Sequence, residues 1–210
     1  MRTTTPTQKL PTQSGPTTLP TSSPTPPTHH VPTRPTEFAV PDMTARQHRT
    51  VIDSPLGPIM LTSDGTHLTG LYLEVSDAVL ARVTTVFGAE PETNDDLTIF
   101  ADTAAQLGEY FAGHRRGFDL PLAPQGTEFQ RSVWQGLLEI PYGHTANYGE
   151  LAEAVGRPTA ARAVGAANGK NPISIIVPCH RVIGANGSLT GYAWGEDKKR
   201  RLLTLESHPK

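Results

Sequence analysis

Cysteine is almost absent from this chain: Cys179 stands alone in 210 residues. A single thiol cannot close an internal disulfide and supplies at most one soft ligand, which excludes disulfide frameworks and cysteine-rich zinc sites. Long apolar runs are missing too, and no stretch is long enough to span a bilayer as a helix. No secretory or transit-type leader is legible, so the cytoplasm is the expected location. Strong charge is lacking as well, with a net of −2 and aromatic residues at 6%. Taken whole, that balance argues against a broad polyanion binder. The average conceals an asymmetry, because residues 1–41 carry +2, residues 42–124 carry −7 and residues 125–210 carry +3. Any polyanion would therefore meet the C-terminal part.

Proline and threonine are concentrated at one end. Residues 1–41 hold ten of the twenty prolines and twelve threonines. So few large apolar residues cannot offset the ordering entropy, and residues 1–45 read as a disordered tail. A first domain is expected over 46–122. Its apolar positions Val51, Ile59, Leu61, Leu68, Leu71 and Leu73 are broken by turn signals at Ser54-Pro55-Leu56-Gly57 and Ser63-Asp64-Gly65, which predicts a three-stranded antiparallel meander. Helices are expected over about 77–87 and 95–112, the second with Leu97, Phe100, Ala101, Ala104, Leu107 and Phe111 on its core stripe. Residues 118–124 break both periods and read as a linker. The second domain, 123–210, is mostly helical. Capping boxes at Thr127/Gln130 and Asn147/Glu150 open two helices, and Gly156-Arg157-Pro158 joins the second of these to a small-residue helix over about 159–168 in helix-turn-helix manner.

Around the thiol the order is Asn171-Pro172, then Ile173-Ser174-Ile175-Ile176-Val177, then Pro178-Cys179-His180-Arg181-Val182. The apolar five predict a short buried strand, and Pro178 takes the chain out of the sheet just before Cys179. A buried inert thiol is the usual fate of a lone cysteine. Here a strand exit and two following cationic residues favour a nucleophilic thiolate. The helix bearing Ala160, Ala161, Ala163, Gly165, Ala166 and Ala167 suits close approach either to another helix or to a nucleic-acid groove, with Arg162 its one long polar side chain. Lys198-Lys199-Arg200-Arg201 reads as a solvated helix end.

Pro-Cys-His-Arg-Val at 178–182 resembles the acceptor signature of the O6-alkylguanine-DNA alkyltransferases. Asn171-Pro172, the 160–165 helix, Ile140-Pro141-Tyr142-Gly143 through Tyr148, Gly191-Tyr192 and Leu202-Leu203 with Glu206 also match that family, densely over about 125–206 and loosely over 49–122. The resemblance implies an α+β fold, with an N-terminal ribonuclease-H-like α/β roll and a C-terminal winged-helix-like domain. It implies single-turnover repair, in which a methyl or other alkyl group passes from O6-methylguanine, and also O4-methylthymine, in duplex DNA to Cys179. His180 would be the base, Glu206 its orienter, and Asn171 the tie between recognition helix and cysteine segment. Tyr148 would turn the target phosphate. Arg162, flanked by Ala161, Ala163 and Gly165 on the DNA face, would take the space of the flipped base. Backbone groups of Cys179, Val182 and Ala193 would read the guanine, with Tyr192 as pocket wall. No cofactor or metal is implied, the partner is double-stranded DNA carrying O6-alkylguanine, and a monomer without membrane association is expected. In a bacterial host the protein would be nucleoid-associated. Three alternatives remain at this point: a cysteine hydrolase, a non-catalytic binder of alkylated DNA, and a regulator using the helix-turn-helix alone.

Overall fold

The computed structural model describes Met1, residues 37–189 and residues 191–207. Most of the expected tail lies outside the described residues. Its final part, 37–45, does not stand clear of the body. Phe38 packs on the core, the Ala39 amide donates to the Leu122 carbonyl at 2.8 Å, and the Arg131 guanidinium donates to the Ala39 carbonyl at 3.1 Å.

Three strands form the expected meander: β1 (His48–Ile52), β2 (Ile59–Ser63) and β3 (Leu68–Tyr72). A two-residue strand, β4 (Glu92–Thr93), adds to β1 in parallel, giving the order β3-β2-β1-β4. β2 and β3 are buried throughout, because helices and the second half of the chain cover them. Between β3 and β4 runs α1 (Asp77–Phe87), capped by the Ser76 hydroxyl and closed by Gly88 at φ +78°, a conformation glycine adopts without penalty.

α2 (Thr98–Phe111) starts three residues later than expected, after an Asn94 side-chain turn onto the Asp96 amide. Its buried stripe is Ile99, Phe100, Thr103, Leu107 and Tyr110, rotated from the expected one; Ala101 faces solvent. The 118–124 segment is not a free linker. Phe118, Leu120, Leu122 and Ala123 are buried, and the Leu68 amide and carbonyl bond to the Pro121 carbonyl and Ala123 amide at 2.8 and 3.0 Å. One continuous apolar core therefore joins the two halves.

The second half opens with α3 (Glu128–Leu138) on its Thr127/Gln130 capping box. α4 (Tyr148–Ala154), on the Asn147/Glu150 box, follows a short strand β5 (Ala146–Asn147). Gly136 lets α3 approach α4, since a Cβ there would lie 2.7 Å from Val155. α5 (Ala161–Asn168) begins two residues beyond the expected start, without a side-chain cap. A 3₁₀ turn over Cys179–Arg181 leads into β6 (Val182–Ile183), paired in parallel with β5, and α6 (Glu196–Ser207) closes the fold. No helix among the described residues is long and apolar enough to cross a membrane.

Candidate active site

The segment before the thiol is buried as expected but is not a strand. Its only ladder contact is a bridge from Ile173 to Leu71. After it the chain coils, with Val177 N–H on Ile173 O and Ile176 N–H on Ser174 O, and Ile175 at φ +68°, the one non-glycine residue with positive φ among those described. Asn171 supplies the reason. Its amide donates to Val177 O at 2.8 Å and to Ile173 O at 3.4 Å while its carbonyl accepts from Ile173 N–H at 3.0 Å. A side chain that satisfies three backbone groups substitutes for a neighbouring strand.

Cys179 is therefore presented from a 3₁₀ turn and is buried. Burial pushes its thiol up from the ordinary range, against hydrogen bonding from Asn171 and Ser174 and the positive charge of Lys199. This corrects the expectation that His180 and Arg181 favour thiolate at rest. Arg181 is committed elsewhere, with Nε and Nη2 on the two oxygens of Glu206 at 2.9 Å and Nη1 on Ile140 O at 2.6 Å. His180, fully buried, has its pKa lowered by desolvation and stays neutral.

His180 and Glu206 meet as the resemblance implies, with Nε2 2.9 Å from Oε1. Burial alone would raise the Glu206 pKa, but hydrogen bonds and charge from His180 and Arg181 outweigh it and hold the carboxyl well below the usual range. An ionised carboxylate only accepts, so Nε2 carries the imidazole proton. His180 Nδ1, buried and without a protein hydrogen bond, is left with a free lone pair.

Lys199 belongs to this cluster, contrary to the solvated helix end expected of it. The residue is 0% exposed, its ammonium donates to Val182 O at 2.6 Å, and it lies 5.9 Å from the Tyr192 ring centroid. Its neighbour Lys198 donates to Leu73 O. The signal was present in the spacing: Lys199, Leu202 and Glu206 sit at i, i+3 and i+7, and all three are buried.

Tyr148 opens α4 half-buried. A Cβ on Gly165 would lie 3.4 Å from its ring, and one on Gly191 would lie 3.3 Å from its hydroxyl, so it fills the space between α5 and the 191–195 loop. Tyr192 is buried with its hydroxyl unpartnered, and Ala193 is exposed. The Val182 carbonyl is already engaged by Lys199, and the Cys179 carbonyl accepts from Val182 N–H, leaving each one lone pair for another donor. Trp194 N–H bonds Ser174 Oγ at 2.7 Å and its ring meets Tyr72 edge-on, tying this loop to the sheet.

The small residues of α5 divide between its two faces. Val164, Ala167 and Asn168 are buried against the core, where Trp134 Nε1 donates to Ala167 O at 2.9 Å; Arg162, Ala163 and Ala166 are exposed, with Ala161 and Gly165 between. One face packs on the core and the other is exposed.

The sequence and the fold both have counterparts among known proteins. The family model described as 6-O-methylguanine DNA methyltransferase, DNA binding domain, matches residues 128–208, and that of the ribonuclease-like domain matches residues 48–124. A methylated-DNA–protein-cysteine methyltransferase of Methanosarcina acetivorans is 50% identical over 163 residues, 74% of this chain and 96% of its own. One from Mycobacterium leprae is 51% identical over 161 residues, covering 77% and 93%. Among solved structures, the O6-methylguanine methyltransferase of Mycobacterium tuberculosis superposes with a TM-score of 0.69 at 46% identity, over 78% of this chain and 94% of that one. A second structure of that organism's enzyme, in complex with DNA, gives 0.65 at 48% identity over 76% and 92%.

Proposed function

This chain belongs to the 6-O-methylguanine DNA methyltransferase family and has its methylated-DNA–protein-cysteine methyltransferase activity in DNA repair; on that footing we propose that Cys179 is the acceptor and is consumed in one turnover. The observation that carries this reading is a buried thiol followed directly in the chain by an imidazole that burial keeps neutral and that an ionised carboxylate orients through Nε2.

DNA, the partner present in the mycobacterial complex, would lie here as a duplex along the exposed face of α5. The target base must leave the stack, because an alkyl group inside a duplex is shielded from a protein nucleophile. Arg162 would occupy the vacated space and Tyr148 would guide the nucleotide inward. Unstacking costs a few kcal/mol, least for a poorly paired lesion, and this helps to select O6-methylguanine and, by the same logic, O4-methylthymine.

In the pocket His180 Nδ1 takes the Cys179 proton, directly or through water. The sulfur attacks the methyl carbon in line, an S–C bond forms as the C–O6 bond breaks, and guanine departs with the electron pair. The Ala193 amide would donate to O6, and the guanine anion recovers a proton from water as His180 returns its own. Lys199, whose charge lowers the thiol's pKa, favours the thiolate during transfer. The product is a thioether with no carbonyl for water to attack, so the enzyme is not regenerated. Mass spectrometry after mixing with a duplex containing O6-methylguanine tests this. One methyl on the Cys179 peptide, with a burst of about one equivalent, is expected; continued turnover, or methyl on another residue, overturns the reading in favour of a hydrolase or a different acceptor.

A further inference from the structure

Glu206 is bonded by more than the two residues that follow Cys179. Its Oε1 accepts from His180 Nε2 and Arg181 Nη2, and Oε2 accepts from Arg181 Nε and from Gly143 N–H at 3.1 Å. One further donor arrives from the other half of the chain. Tyr110 on α2, 0% exposed, places its hydroxyl 2.8 Å from Oε1, the oxygen that holds His180. Phe111 and Tyr142 stand edge-on to the Tyr110 ring and Phe118 tilts against it, so the phenol is fixed by packing before its hydrogen bond is made.

A buried phenol needs an acceptor, and a structural role would end there. This acceptor, however, is the atom that orients the proposed base. Each donor on a carboxylate withdraws charge and weakens its pull on the others. We propose that Tyr110 is a positioning residue for methyl transfer: by donating to Glu206 Oε1 it limits how far that carboxylate favours the imidazolium form of His180, and so keeps the imidazole neutral and ready to accept the thiol proton. The inference rests on the role of His180 given above. It makes an N-terminal side chain part of the chemistry without touching substrate.

The other groups around the pair act in known directions. Arg181 and Lys199 oppose protonation of His180, Glu206 supports it, and Cys179 is neutral at rest. Tyr142 lies near Glu206 and keeps its proton, its pKa raised by burial and by that carboxylate, with the Arg116 and Arg181 guanidiniums 5.7 and 5.8 Å from its ring centroid.

Tyr110→Phe removes the hydroxyl and keeps the ring. Glu206 then draws harder on Nε2–H, imidazolium is favoured, and the His180 titration moves to higher pH. In the full-length, DNA-free protein, the His180 ring resonances followed by NMR should shift upward by about half a pH unit or more. Single-turnover methyl transfer should show its acid limb displaced by the same amount, making the variant about threefold slower below the limb and equal to the parent above it. Duplex affinity should be unchanged. Urea unfolding of the same preparations separates the alternatives: lower stability with an unmoved titration makes Tyr110 a structural donor and overturns the proposal, as does a rate loss uniform across pH. Absence of any transfer in the parent would instead defeat the role of Cys179, while the NMR titration still decides that of Tyr110.

Discussion

The two halves of this molecule bury polar groups of different kinds. In the first, the buried polar residues are neutral, namely Gln47, Thr50, Thr62, Ser63, Thr69 and Thr103, and the Thr69 hydroxyl bonds Gln47 Oε1 at 2.8 Å and Thr62 Oγ1 at 3.0 Å. In the second, Arg181, Lys199, Glu206 and His180 are buried together. A satisfied neutral pair costs little to bury, whereas ions withdrawn from water are favourable only when closely paired. The first half is built to hold shape. The second accepts an expensive arrangement, and the return is a thiol beside a neutral base.

The strongest test of this contrast is Cys179→Ser, which should abolish methyl transfer while duplex affinity, measured by fluorescence anisotropy, stays the same, since a hydroxyl is a far poorer nucleophile at neutral pH. Glu206→Gln comes next. It leaves Arg181 without its counter-ion, so urea unfolding should report a loss of about 3–5 kcal/mol. Transfer should slow by about 10² with the final burst size unchanged, because neither Glu206 nor His180 holds the alkyl group. Arg162→Ala should slow repair of duplex about tenfold or more yet change reaction with a free O6-alkylguanine base by less than about twofold; equal losses would place Arg162 in the fold rather than at the DNA.

Acid should find the charged cluster first. His180 and Glu206 both have folded-state pKa values below their ordinary values of 6.5 and 4.5. Each therefore contributes stability that is complete above its unfolded pKa and is lost as pH falls below it. Stability from urea midpoints should decline from about pH 6.5 downward in the parent, and Glu206→Gln should flatten the part of that decline below about pH 5. The smallest effect belongs to the neutral cluster: Thr69→Val should cost about 1–2 kcal/mol with no change in transfer rate at any pH. A rate change there would break the division between scaffold and chemistry.

Sequence disclosed the site where its parts are neighbours. Cys179, His180 and Asn171 fall within ten residues, and the two capping boxes are local patterns that fold as written. Glu206 came only through the family likeness, as its distance along the chain gives no local signal. What stayed hidden has physical causes. The apolar pattern at 173–177 is that of a strand, but the Asn171 side chain takes the hydrogen bonds that a strand would have given a neighbour. Lys199 sits in a charged run whose other members conceal its i, i+3, i+7 relation to Leu202 and Glu206. Tyr110 is not legible because an α2 stripe through Ala101 and Phe111 turns the phenol away from the core, whereas the helix buries Ile99, Phe100, Thr103, Leu107 and Tyr110. The 118–124 segment carries a strand-like alternation, with Phe118, Leu120 and Leu122 buried and Asp119 and Pro121 exposed, but its prolines mask that pattern, and it is pinned along the edge of β3.

That pinned edge has a colloidal consequence. An open β-strand flank is a template on which other copies of a chain can assemble. Here the outer side of β3 is closed along its length by two short pieces: Pro121 and Ala123 on Leu68, then Pro172 and Ser174 on Leu71. The second piece is the beginning of the turn that carries the thiol. Reactivity and solubility are thereby coupled through one stretch of backbone, so that a change loosening the turn at Asn171 would uncover sheet to other molecules at the same time as it displaced the nucleophile.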